Sequence, residues 1–148
     1  MSGFLLDTNA ISMFAPLRMK PSSTFSAWMD DQEKSNGIYL SAVTIHEIEK
    51  GIRMLEHRGA SSKAEALAIW LTGLTTIYAA NILPLDAAIA RFSGELEAFA
   101  TSKGHSPGAA DAMIAGTAKA HGLTVITYNL RDFGPFAVAA KSPAQIAG

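Results

Sequence analysis

Five oxygen-bearing side chains fall where they could share one cation. Asp7 closes the apolar run in FLLDTN, Glu47 lies in SAVTIHEIEKG, Asp111 in PGAADAMIAGTAKAH, and Asn129 and Asp132 in TVITYNLRDF. Carboxylates and amides are hard ligands suited to Mg²⁺ or Mn²⁺, and such ions suit phosphodiester hydrolysis because they direct and acidify a water. The chain has no cysteine, which excludes disulfides, thiol nucleophiles and thiolate zinc sites together. His46, His57, His105 and His121 show no paired ligand spacing, and HEIEK lacks the second histidine of a zinc-hydrolase helix. These histidines read as surface or capping residues.

Taken singly, each polar position has a simpler reading. Asp7, with Thr8 and Asn9, would cap a short helix beginning near Ala10. Glu47 would be a first-turn acid favoured by the helix dipole, and Asp111 a first-turn acid bonding the amides of its own helix. Asn129 would be a turn residue and Asp132 a loop or cap acid. Asp111 is the hardest to leave at that, because Gly108, Ala109, Ala110, Ala112, Ala115 and Gly116 surround it on a helix whose packing should bury most of its surface. A buried carboxylate needs a partner. One shared site accounts for all these positions, whereas the local readings need a separate coincidence for each. Glu49 differs: it falls with Lys50 and Arg53 on the solvent side and reads as a surface charge.

The elements that must position these groups alternate between short apolar strands and helix-length segments, the pattern of an α/β fold with a mostly parallel sheet. Strands are expected at Phe4–Leu6, Ile38–Leu40, Ile82–Leu85 and Thr124–Thr127, with weaker support at Ala137–Ala139. Asp7 and Asn129 then fall at the carboxyl edge, where open parallel sheets bind ligands. Helical stripes run through Phe25, Trp28 and Met29; Ile45, Ile48, Ile52 and Leu55; Leu67, Leu71, Leu74 and Tyr78; and Ile89, Phe92, Leu96 and Phe99. Ser41 and Asp86 can cap the second and fourth of these helices. Ser106 followed by Pro107 predicts the start of a fifth, which Gly122 would end. The small residues of that fifth helix would let it lie close to the sheet. The third stripe presents Ile69 and Trp70 on more than one side, apolar surface that a partner would cover. The closing KSPAQIAG, about 141–148, is expected to be a loosely held tail.

Bulk properties narrow the function further. A chain of 148 residues, 49% hydrophobic, fits one domain over 1–148 with a substantial core. A formal net charge of −1 gives no global positive field, so any nucleic-acid contact must be local. Arg131 is adjacent to the acidic set and Arg18 or Lys20 could border it, although solvated charge is the default for each. The uncharged stretch from Ala66 to Leu85 has the length of a bilayer span, but its threonines, Gly73, Asn81 and Pro84 read as a helix, a turn and a short strand. No membrane role is expected. With no charged leader before a long apolar core, a cytoplasmic protein is expected.

FLLDTN, LSAVTIHEIEKG and PGAADAMIAGTAKAHGLTVITYNLRDF, in this order, resemble the acidic motifs of the PIN-domain ribonucleases. Within that family the chain is most similar to the VapC-type toxins of bacterial toxin–antitoxin pairs, from Phe4 to about Phe136. The resemblance implies a three-layer α/β/α sandwich and a Mg²⁺- or Mn²⁺-dependent endoribonuclease acting on RNA of the tRNA or rRNA class. Asp7, Glu47 and Asp111 match the family's main metal-binding acids, and Thr8 and Asn9 the polar residues that brace the first. Asn129 stands where many relatives have aspartate, and Asp132 follows in RDF, so either is a candidate fourth site residue. A homodimer is implied, with a VapB-like cognate antitoxin completing a hetero-oligomer and directing a basic side chain into the acidic pocket.

In such a mechanism, water activated at the cation attacks phosphorus, leaves a 5′-phosphate and needs no 2′-OH nucleophile. Two other readings compete. An aspartate-nucleophile phosphatase also carries Asp after its first strand, but its second Asp, two residues on, is here Asn9. A non-catalytic interaction module could retain the fold with the site degraded at Asn129.

Overall fold

The structure is a computed structural model that describes residues 2–16 and 19–147. Its sheet is built from β1 (Phe4–Leu6), β2 (Ile38–Ser41), β3 (Ile82–Leu83), β4 (Thr124–Ile126) and β5 (Ala140–Lys141). The strand order is β3-β2-β1-β4-β5, and every neighbouring pair is parallel. β1 therefore has β2 on one side and β4 on the other. This reversal of strand order opens a crevice at the carboxyl ends, where α/β sheets characteristically bind ligands. The amide of Asp7 donates to Ile126 O at 3.0 Å, tying the first strand's end to the fourth.

Alternation along the strands divides the interior into two layers. Leu6, Ile38, Leu40 and Ile126 face one side, under α1 (Thr8–Ser12), α2 (Ser23–Lys34), α3 (Ala42–His57), α4 (Ser61–Ile77) and α8 (Pro143–Ala147). Leu5, Leu83 and Val125 face the other, under α5 (Ala87–Ser102), α6 (Ala109–His121) and α7 (Leu130–Phe133). The expected three-layer α/β/α sandwich is thus present. Leu5, Leu6, Val125 and Ile126 are fully buried, and each such side chain contributes about 1.5–3 kcal/mol through removal from water.

Two expected caps form as read. Ser41 accepts from the Val43 amide to open α3, and Asp86 accepts from that of Ile89 to open α5. Gly122, at φ 67°, closes α6 with Leu123 N donating to Ala118 O. The start of α6 differs from expectation: Gly108, not Ser106, takes the cap position, with extended backbone and no side-chain cap. The fixed φ of Pro107 serves an extended approach as well as a first helical turn.

The C-terminal part also departs from the sequence reading. Ala137 is left-handed at φ 52° after a 3₁₀ turn, so it cannot lie in a strand, and β5 forms three residues later. The segment read as a loose tail supplies Lys141 of β5 and all of α8, whose Ile146 packs against the α2–α4 side of the core. α4 ends at Ile77 and is followed by a 3₁₀ turn and β3. Among the described residues, no helix is long and apolar enough to cross a membrane.

Candidate metal centre

Asp7 leaves β1 at the crevice and is only 4% exposed. The capping reading is correct for it: Oδ1 accepts from the Ala10 amide at 2.9 Å, and the helix begins at Thr8 rather than near Ala10. Burial raises the Asp7 pKa. The Thr127 hydroxyl and the Ala10 amide favour the charged form without cancelling that effect, and Glu47 and Asp132 add repulsion.

Glu47 comes from the second turn of α3. Thr8 Oγ1 lies 2.5 Å from Glu47 Oε1 and 3.1 Å from Oγ1 of the fully buried Thr44. Thr8 has one proton to give, and the carboxylate is the stronger acceptor. Thr8, expected to brace Asp7, therefore braces Glu47. Asn9 is exposed and turns to a neighbouring groove.

Asp111, in the first turn of α6, is half-buried and has no hydrogen bond to a described residue. The reading in which it bonds its own helix's amides does not hold. Its pKa is pushed up to about 6, first by burial and then by the charges of Asp132, Glu47 and Asp7. Asn129 occupies the N-cap position of α7 without capping through its side chain, and Asp132 lies in that helix's first turn. Asn129, Arg131 and Asp132 are exposed. Arg18 lies outside the described residues, and Lys20 is exposed along the wall formed by Met13–Pro16 and α2.

The crevice thus brings Asp7, Glu47, Asp111 and Asp132 within range of one another's charge. The described ion pairs join Arg53 to Glu49 and Glu56 on the solvent side of α3, away from these four. Among the described residues, no three Asp, Glu or His side chains stand close enough to form a ready cage for an ion. The donor set still fits a hard divalent cation: it is all oxygen and, among the described residues, forms no ion pair.

Two contributors escape a reading of sequence alone. Thr127 is fully buried, accepts from the Asn129 amide at 2.9 Å and favours the charged form of Asp7. Thr44 supports the Thr8–Glu47 link from within α3. For Thr127 the signal was a threonine two residues before Asn129, the spacing of a hydroxyl-to-backbone turn. The histidines stay out: His46, His57 and His105 are exposed and His121 is partly so.

Comparison with known proteins identifies the family. Residues 4–139 match the PIN domain. Toxin FitB of Neisseria gonorrhoeae is 38% identical over 136 residues, 91% of each chain. The tRNA(fMet)-specific endonuclease VapC of Shigella flexneri is 32% identical over 130 residues, 88% of this chain and 89% of that protein. A crystal structure of FitAcB from N. gonorrhoeae aligns with a TM-score of 0.79 at 35% identity, covering 95% of this chain and 98% of that one. The chain belongs to the PIN-domain family and resembles its VapC-type members.

Proposed function

We propose that the protein is a Mg²⁺- or Mn²⁺-dependent endoribonuclease, the toxin of a toxin–antitoxin pair, acting on RNA of the tRNA or rRNA class. The observation that carries this reading is Asp111: a half-buried carboxyl with no described hydrogen-bond partner, raised to about 6 among three other acids. An acidic cluster of this kind is stabilised by a cation. Membership of the PIN-domain family and likeness to a named tRNA endonuclease support the choice of RNA as substrate.

In this reading Asp7, Glu47 and Asp111 would hold the cation, and Asp132 or Asn129 would orient a water beside them. When bound, the cation supplies the positive charge that acidifies water and steadies the scissile phosphate. Thr8 fixes one oxygen of the Glu47 carboxylate, and Thr127 fixes the strand end that carries Asn129. Burial of Asp7, and partial burial of Asp111, reduces solvent screening of their carboxylates, which strengthens their interaction with an ion.

A VapB-like antitoxin neutralises the enzyme, and the toxin pairs as a homodimer within the larger complex. The α4 face supports a covered surface through Ile69 and Ile77, which are 68% and 72% exposed, whereas Trp70 is half-buried and lines the separate groove beside α3. The test is cleavage of tRNA and rRNA by purified toxin with Mg²⁺, Mn²⁺ or EDTA. Cleavage should require the cation and fall by about a hundredfold or more in Asp7→Ala and Asp111→Ala. Absence of cation-dependent cleavage, with growth inhibition that survives both substitutions, would leave the interaction-module reading in its place.

A further inference from the structure

A groove of about 520 Å³ leaves the acidic cluster along α3 and reaches the start of α4. Thr8, Asn9 and Glu47 line its acidic end, and Arg58 and Lys63 line the other. At a rise of 1.5 Å per residue, Glu47 and Arg58 lie about 16 Å apart along the helix axis, a span of a few nucleotides. Arg58 and Lys63 are exposed and form no ion pair with a described residue. Between the two ends, Gly51 leaves open space, where even an added Cβ would meet nothing within 4 Å. Trp70 contributes a half-buried ring to the same groove.

We propose that this groove is the track of the RNA strand beside the cut, with Arg58 and Lys63 each binding a phosphate remote from the metal centre and Trp70 offering a face to a base. The inference rests on the nuclease reading for the identity of the strand, but its test does not depend on cleavage. Charge order argues for RNA over a peptide. A phosphodiester chain can meet a cation at the acidic end and two basic side chains at the other, so one repeating anion satisfies both. Ile48 and Ile52 are closed into the core at 8% and 1% exposure, while Leu55, Leu67 and Trp70 are half-buried and leave apolar surface between the charged ends against which bases can pack. Phosphate contacts set position along a nucleic acid without reading sequence, and aromatic stacking tolerates any base.

The test is the double variant Arg58→Ala, Lys63→Ala, whose sites are exposed and outside the core. Binding is read by anisotropy of a fluorescein-labelled single-stranded oligoribonucleotide of about 20 nucleotides, between about 50 and 200 mM salt with Ca²⁺ in place of Mg²⁺ so that the probe stays uncut. Losing two phosphate contacts should weaken binding about tenfold and reduce the slope of log affinity against log salt by about 1.4. With bulk tRNA as substrate, KM should rise about tenfold while kcat stays within about twofold, the pattern of lost uniform binding. If wild type cleaves no RNA but the binding losses appear, the nuclease reading falls and the groove assignment stands. Unchanged affinity, slope and KM overturn the groove assignment, as does a wild type that binds no RNA. A variant that keeps its RNA kinetics but loses the antitoxin assigns the groove to a peptide and overturns it equally.

Discussion

Asp111 concentrates the cost of the acidic cluster in one side chain. Its carboxyl binds a proton more tightly in the folded chain than in the unfolded one, where the ordinary value is near 3.8, because burial and three neighbouring acids raise it to about 6. Stability from this group is therefore present below about pH 4 and is lost as pH rises through about 6. Burial shifts Asp7 in the same direction. In EDTA, Asp111→Asn should melt higher than wild type at pH 7.5 by about 3 °C, corresponding to about 1 kcal/mol after allowance for solvent screening of a half-exposed group. At pH 5 the gap should narrow. Added Mg²⁺ should raise the wild-type melt at pH 7.5 and leave the variant nearly unmoved, and a variant that melts below wild type throughout would contradict this account. The acids were legible in sequence because each follows a strand end or lies near the start of a helix. The Thr8–Glu47 bond was not, since its partners are 39 positions apart and no local spacing announces it.

At the scale of elements, α6 matters because it carries Asp111, and its position depends on α5. A Cβ added at Gly116 would lie 2.4 Å from Ser93 Oγ and 3.3 Å from both Cα and Cβ of Ser93. Small residues therefore let α6 lie close to a helix as well as to the sheet, a contact between separate segments that periodicity does not reveal. Ser93 is 3% exposed and its hydroxyl donates to Ile89 O at 2.8 Å, so it cannot easily turn away. Gly116→Ala should cost about 1–3 kcal/mol by overpacking, measured by urea unfolding, and should lower cleavage by displacing Asp111. Stability within about 0.5 kcal/mol of wild type would mean that the helices separate freely. Strand positions and the Ser41 and Asp86 caps were readable because periodicity and capping are local. The start of α6 and the place of β5 were not: Pro107 suits two backbones, and left-handed Ala137 follows from how the chain turns after α7.

At the scale of the whole molecule, a chain of net charge −1 gathers four acids at one sheet edge without a described ion pair to balance them. Any ligand that stabilises this edge must bring positive charge, and two such ligands compete. On the proposed function these are the divalent cation and a basic side chain of the antitoxin. Linkage then requires reciprocity: if Mg²⁺ weakens antitoxin binding by some factor, the antitoxin weakens Mg²⁺ binding by the same factor. Calorimetric titration of antitoxin into toxin should give a dissociation constant at least about fivefold higher in Mg²⁺ than in EDTA, within the usual range for coupled sites. The factor should shrink in Asp111→Asn, which leaves less negative charge for either ligand to neutralise. Equal affinity with and without Mg²⁺ would mean that the antitoxin silences the enzyme without entering the acidic crevice, by covering the groove or the α4 face alone.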